Sequence, residues 1–153
     1  MSRGAMTHQN NSRLHILLVE DNADDIEMVW EGFKGVPLVN LHTVRDGEEA
    51  MAYLRQQGQY QGAQRPGLLL LDIQMPKKNG FEVLREMKAD PVLRHVPVVI
   101  FSTSSTEEDI VRLYADGACS YLNKPIGLMK YQDMARQFAL YWTQLARIPA
   151  CEG

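Results

Sequence analysis

Apolar blocks alternate with amphipathic stretches along the whole chain. Five short runs rich in leucine or β-branched residues, at 14–19, 39–44, 68–71, 96–101 and 120–122, have the length of strands. Apolar positions recur every three or four residues over 23–34, 46–57, 80–88, 106–116 and 128–147, the spacing of helices with one covered face. The runs 68–71 and 97–101 are apolar without interruption, which marks strands covered by helices on both sides. Strict alternation of strand and helix predicts right-handed crossovers and a parallel α/β sheet.

Local punctuation agrees with these elements. Ser105 or Thr106 can cap the helix that follows, and Glu107, Glu108 and Asp109 lie in its first turn, where the helix dipole favours acids. Asp90-Pro91 ends an earlier helix, because proline disfavours helical geometry in the residue before it. Residues 56–67, with three glycines and one proline, are expected to form a flexible connector. Nothing repeats at a fixed period, so we expect one domain over 14–147. The polar stretch 1–13 is expected to be a disordered or non-native tail, and 148–153 a short C-terminal tail.

Composition removes several classes of function. The chain has 153 residues, 45% of them hydrophobic, enough for a core without disulfide staples. Its net charge of −3 and scattered basic residues give no reason to expect nucleic-acid binding. Cys119 and Cys151 have no metal-ligand spacing, and a reduced cytoplasmic setting is the simplest expectation. Residues 1–13 lack the apolar segment of a secretory signal, and no run is long enough for a membrane span.

Candidate chemistry collects where the strands end. Glu20 and Asp21 follow the first strand, Asp72 the third, Ser102 the fourth, and Lys124-Pro125 the fifth. In an open parallel sheet, ligands bind outside the carboxyl ends of the strands, so these distant residues should converge. Carboxylates held together repel unless cations compensate them, and Mg²⁺ takes such oxygen ligands readily. Lys124 adds a second compensating charge that can anchor a phosphate. Asp72 is the expected nucleophile, since a carboxylate can attack phosphorus and become an aspartyl phosphate. A general-base role for it would need a substrate pocket that the sequence does not suggest. Ser102 is the hydroxyl nearest a strand end, whereas Asp24 and Asp25 look like helix-capping acids. Tyr121, taken alone, looks like packing.

In order, Val19-Glu20-Asp21-Asn22, then Asp72-Ile73-Gln74-Met75-Pro76 with Gly80, then Phe101-Ser102-Thr103, then Tyr121-Leu122-Asn123-Lys124-Pro125 resemble the receiver domain of two-component response regulators. The resemblance covers nearly the whole chain, from about Leu14 to Arg147. It implies a flavodoxin-like, doubly wound domain with five parallel strands in the order 2-1-3-4-5 and five helices. It also implies Mg²⁺ held by Glu20, Asp21, Asp72 and the carbonyl of Gln74. Asp72 would accept the phosphoryl group, Ser102 and Lys124 would contact it, and Tyr121 would turn as a switch. The Lys124-Pro125 bond would be cis. Gln74 and Ser104 flank the site and are candidates to tune hydrolysis.

The donor implied is a phosphohistidine on a sensor histidine kinase. His8, His15, His42 and His95 form no catalytic or metal spacing, and no glycine-rich loop could hold ATP. Only 29 residues follow Lys124, so a stand-alone receiver that signals by protein contact is expected, with at most self-phosphorylation and self-dephosphorylation activity. The extended C-terminal helix carries Tyr131, Met134, Ala135, Phe138, Tyr141, Trp142 and Leu145 at helical spacing. Trp142, Leu145 and Ile148 are expected to pass the end of the sheet uncovered and to support a homodimer. That extension also resembles regulators paired with bacteriophytochrome-type kinases. Two alternatives stay open: a phosphorelay intermediate that passes its phosphoryl group to a histidine phosphotransfer protein, and a flavodoxin-like cofactor-binding protein. Glu20-Asp21 would repel a flavin phosphate. An aspartyl phosphatase would want an acid where Gln74 stands.

Overall fold

Strands β1 (Leu14–Val19), β2 (Val39–Val44), β3 (Leu68–Leu71), β4 (Val98–Ser102) and β5 (Ser120–Asn123) pair in parallel in the order β2-β1-β3-β4-β5. The computed structural model describes residues 13–103 and 105–149; most of the expected N-terminal tail, Ser104 and 150–153 lie outside the described residues. The connecting helices are α1 (Ala23–Phe33), α2 (Gly47–Leu54), α3 (Gly80–Ala89), α4 (Glu107–Ala115) and α5 (Leu128–Leu140). The expected α/β class, strand order and number of helices all hold.

Alternation within the strands builds two apolar layers. Leu17, Val19, Leu69, Leu71, Val98 and Ile100 face one layer, packed against Met51, Leu54, Val83, Leu84, Met87 and Leu113 of α2, α3 and α4. Ile16, Leu18, Leu68, Leu70, Val99 and Phe101 face the other, against Val29 and Phe33 of α1 and Tyr131, Ala135 and Phe138 of α5. Each fully buried leucine contributes about 2 kcal/mol. The α1–α5 crossing is close: a Cβ on Gly32 would stand 2.8 Å from the Tyr131 carbonyl oxygen.

Element ends differ from expectation for local reasons. β4 begins at Val98 because Pro97 has no N–H to donate, although its carbonyl still accepts from Leu69 N at 3.0 Å. Thr106 caps α4 by accepting from Asp109 N at 3.1 Å, which leaves Ser105 free for another partner. The connector 56–67 is tied down rather than loose. Gln56 Nε2 donates to the Ala63 carbonyl at 2.7 Å, and Tyr60 packs on the first apolar layer.

Two expectations are corrected. The Lys124–Pro125 bond is trans, since no cis peptide occurs among the described residues. Trans is the intrinsically preferred isomer, and Lys124 reaches the acids in that form. The long C-terminal helix does not stay α-helical to residue 147. It passes at Tyr141–Leu145 into a π turn, where Thr143 Oγ1 donates to the Ala139 carbonyl at 2.6 Å and Ala146 N donates to Tyr141 O at 2.7 Å. The threonine hydroxyl competes for the carbonyl that an α-helix would use. Trp142 therefore packs on Phe138 and the second layer, half-buried, instead of running free. Ile148 is half-buried as well. Leu145 is 70% exposed, as expected.

Candidate functional site

The topology reverses between β1 and β3, so the connections leaving these strands diverge and open a crevice at their carboxyl ends. The backbone ladder carries the expected residues to that edge. Glu20 N donates to Val44 O, Asp72 N to Val19 O and Lys124 N to Ser102 O, at 3.0, 3.0 and 2.8 Å. Each residue is thereby held at the last rung of a neighbouring strand. Gly80 is required just behind: a Cβ there would lie 2.5 Å from the Asp72 carbonyl oxygen.

Glu20, Asp21 and Asp72 converge, with one carboxylate oxygen from each lying within 4.8 Å of the others. Glu20 is 1% exposed, and Asp72 is also buried. Lys124 reaches into the same cluster. Its Nζ lies 2.7 Å from Glu20 Oε1, 2.8 Å from Asp25 Oδ2 and 3.6 Å from Asp72 Oδ2. The contact with Glu20 is ionic but lies outside hydrogen-bond geometry, so buried Glu20 Oε1 has no hydrogen-bond donor. Glu20 Oε2 accepts from Asn22 N at 3.1 Å.

Burial dominates the electrostatics. It pushes Glu20 up to about 7, against the pull of Lys124 and with the help of the Asp72 charge. Asp72 is also raised by burial, which Lys124 and the backbone N–H groups of Gln74 and Ile73 only partly offset. Burial alone would lower Lys124, but its hydrogen bond to Asp25, its close ionic contact with Glu20 and the charge of Asp72 raise it. The lysine therefore stays charged while the acids carry the strain.

The other expected residues are placed less uniformly. Ser102 is buried at the end of β4, next to Lys124 along the ladder. Gln74 is exposed on the loop after Asp72. That loop is clamped by the start of α2: Lys77 pairs with Asp46 at 3.5 Å, and a Cβ on Gly47 would come 1.9 Å from the Lys78 carbonyl oxygen. Tyr121 is half-buried against the first layer, its hydroxyl bonded to Ser105 Oγ at 2.8 Å.

Asp25 was missed. Its backbone N–H, rather than its carboxylate, takes part in capping α1, donating to Asn22 Oδ1 at 2.9 Å. Helix side chains lean toward the N-terminus, which aims an acid in the first turn back at the strand ends. Asp24 lies in the same turn and shares that lean, so the direction alone does not pick out the acid that meets Lys124.

A doubly wound sheet with acids and a lysine converging at its switch point defines a class. Residues 16–136 match the model of the response regulator receiver domain, and the chain belongs to that family. Among its relatives, response regulator Rcp1 of Synechocystis sp. (strain ATCC 27184 / PCC 6803 / Kazusa) is 39% identical over 146 residues, covering 95% of this chain and 99% of the relative. The crystal structure of the phosphorylated cyanobacterial phytochrome response regulator RcpA superposes with a TM-score of 0.85 at 42% identity, over 91% of this chain and 100% of that one. The Mn²⁺-bound form of Rcp1 gives a TM-score of 0.81 at 40% identity, over 89% and 99%. No described helix is long and apolar enough to cross a membrane.

Proposed function

We propose that this receiver takes a phosphoryl group onto Asp72 in a Mg²⁺-dependent reaction and signals through protein contact. The observation that carries this reading is the meeting of Glu20, Asp21 and Asp72 beside a buried lysine. The residues fit a divalent cation: three oxygen donors converge, and the buried Glu20 Oε1 has no donor of its own. Glu20, Asp21, Asp72 and the carbonyl of Gln74 would hold the ion. Bound there, Mg²⁺ would offset the repulsion between carboxylate and phosphoryl oxygens.

The chain's own groups do the rest. An Asp72 oxygen attacks phosphorus in line, and the phosphorus–nitrogen bond of a kinase phosphohistidine breaks, its electron pair leaving on the imidazole nitrogen. Lys124 and Ser102 meet the phosphoryl oxygens once they arrive. The new charge biases Tyr121, which must leave or keep its bond to Ser105, and so alters the face around α4 and β5. Self-phosphorylation from small donors and self-dephosphorylation need no further residues.

Similarity to RcpA, a cyanobacterial phytochrome response regulator, supports a phytochrome-type sensor histidine kinase as donor. The exposed Leu140, Tyr141 and Leu145 at the end of the C-terminal helix favour a homodimer through that region. Sedimentation that shows a monomer at high concentration, with and without phosphorylation, removes the dimer. For the main reading, the protein is incubated with Mg²⁺ and a small phosphodonor. Wild type becomes labelled and Asp72→Asn does not. Equal labelling of the two would refute the assignment.

A further inference from the structure

Of the three acids around the Lys124 ammonium, Asp25 alone makes a directional bond. Lys124 Nζ donates to Asp25 Oδ2 at 2.8 Å, lies outside hydrogen-bond geometry with Glu20, and is 3.6 Å from Asp72, beyond hydrogen-bond reach. Asp25 is free to do this because the Asn22 side chain has taken over the cap of α1. Its neighbour Asp24 is exposed in the same turn, and the ion pairs of Lys124 among the described residues are with Glu20, Asp25 and Asp72. Lys124 is enclosed, with a side chain only 6% exposed, so water competes poorly for its protons. An ammonium has three N–H donors, and one of them is committed to Asp25.

We infer that Asp25 is a positioning residue for phosphoryl acceptance: it holds Lys124 by a directional hydrogen bond, and an arriving phosphoryl group draws the lysine in competition with it. The inference rests on Asp72 being the phosphoacceptor. With phosphoramidate as donor, an Asp72 oxygen bonds to phosphorus as the phosphorus–nitrogen bond breaks, and the nitrogen leaves as ammonia with the electron pair. Asp25 forms no bond in that step. It acts through Lys124, whose hydrogen bond to the carboxylate is stronger than one to a neutral acceptor. Removing the charge but keeping the shape, as in Asp25→Asn, releases the ammonium toward Asp72 and the incoming oxygens.

The test compares labelling rates at sub-saturating phosphoramidate with Mg²⁺ in wild type, Asp25→Asn and Asp24→Asn. Thermal unfolding checks that each variant is folded, and Asp25→Ser serves as a second uncharged variant. Asp25→Asn and Asp25→Ser should label about threefold faster than wild type, the scale of one partly exposed ion pair. Asp24→Asn, which removes the same charge, should match wild type. Independently of any reaction, the Lys124 ammonium resonance in the metal-free protein should exchange faster with water in Asp25→Asn. A rate at or below wild type, equal acceleration in Asp24→Asn, or an unaltered Lys124 resonance overturns the inference. Should wild type take up no label, the assignment of Asp72 fails and this inference fails with it. Labelled wild type with an unaltered Asp25→Asn defeats the inference alone.

Discussion

Two regions of this molecule bury ionisable side chains, and they do it by opposite means. At the carboxyl edge of the sheet, Glu20, Asp25 and Asp72 surround Lys124, and opposite charges share the site. Beneath α2, on the β1–β2 side of the sheet, the rings of His15, His42, Tyr53 and Tyr60 form one cluster of stacked, tilted and edge-to-face contacts. The His42 and Tyr53 rings lie 4.6 Å apart and those of Tyr53 and Tyr60 4.9 Å apart. Here ring contacts and hydrogen bonds replace ion pairing. His15 Nε2 is 2.8 Å from Tyr53 Oη, and Tyr60 Oη donates to Glu49 at 2.5 Å. Burial, then the nearby His42, lowers His15 from its usual value, while burial and the Glu49 bond push Tyr60 up to about 12. The first region keeps charges in place for an incoming anion and cation. The second relies on ring contacts and single hydrogen bonds, and its groups serve packing.

The difference can be broken at its strongest point by Lys124→Ala. Removing this cation leaves Glu20, Asp72 and Asp25 facing each other, and the variant should lose about 3 kcal/mol, the range for breaking a buried pair. Chemical denaturation reads this directly, and labelling with a small phosphodonor should fall sharply in parallel. A variant as stable as wild type at neutral pH would mean the acids neutralise themselves by protonation and need no cation.

A smaller effect tests whether the site depends on the helix that joins the two regions. Gly47→Ala drives a Cβ into the Lys78 carbonyl of the loop that carries Gln74. Overpacking of this kind costs about 2 kcal/mol. The displaced loop should also weaken Mg²⁺ binding, measured by calorimetry. Unchanged metal affinity would detach the loop from the site.

The smallest effect belongs to the aromatic region. His15 has a folded value below its unfolded one, so the unfolded chain binds more protons below about pH 6.5. Stability from this group is complete above that pH and is lost as pH falls through the lowered folded value. His15→Gln should therefore shrink the drop in melting temperature between pH 7.5 and pH 5.5 relative to wild type. An identical drop in both proteins would clear His15 of that role.

The periodicity of leucines and β-branched residues, and the acids standing just after strands, were legible from the chain. Each is a local signal: residues 68–71 must be covered on both faces, and Glu20, Asp21 and Asp72 recur at strand ends. Asp25 was misread because a capping acid and a lysine partner look identical until the fold brings the Lys124 side chain to the start of α1. Trp142 was misread because one threonine hydroxyl, at Thr143, retimes the last helix and swings the indole onto Phe138. Gly47 gave no signal, since its importance is the distance to a carbonyl in another segment.

By itself, then, the sequence determined the number and kind of elements, the family, and which side chains would meet at the sheet edge, because hydrophobic period and strand-end chemistry are properties of neighbouring residues. Only the tertiary structure decided which acid holds Lys124, how the C-terminal helix ends and which glycine the site loop rests on. Those outcomes depend on distances of a few ångströms between segments remote in the chain, and no local pattern encodes them.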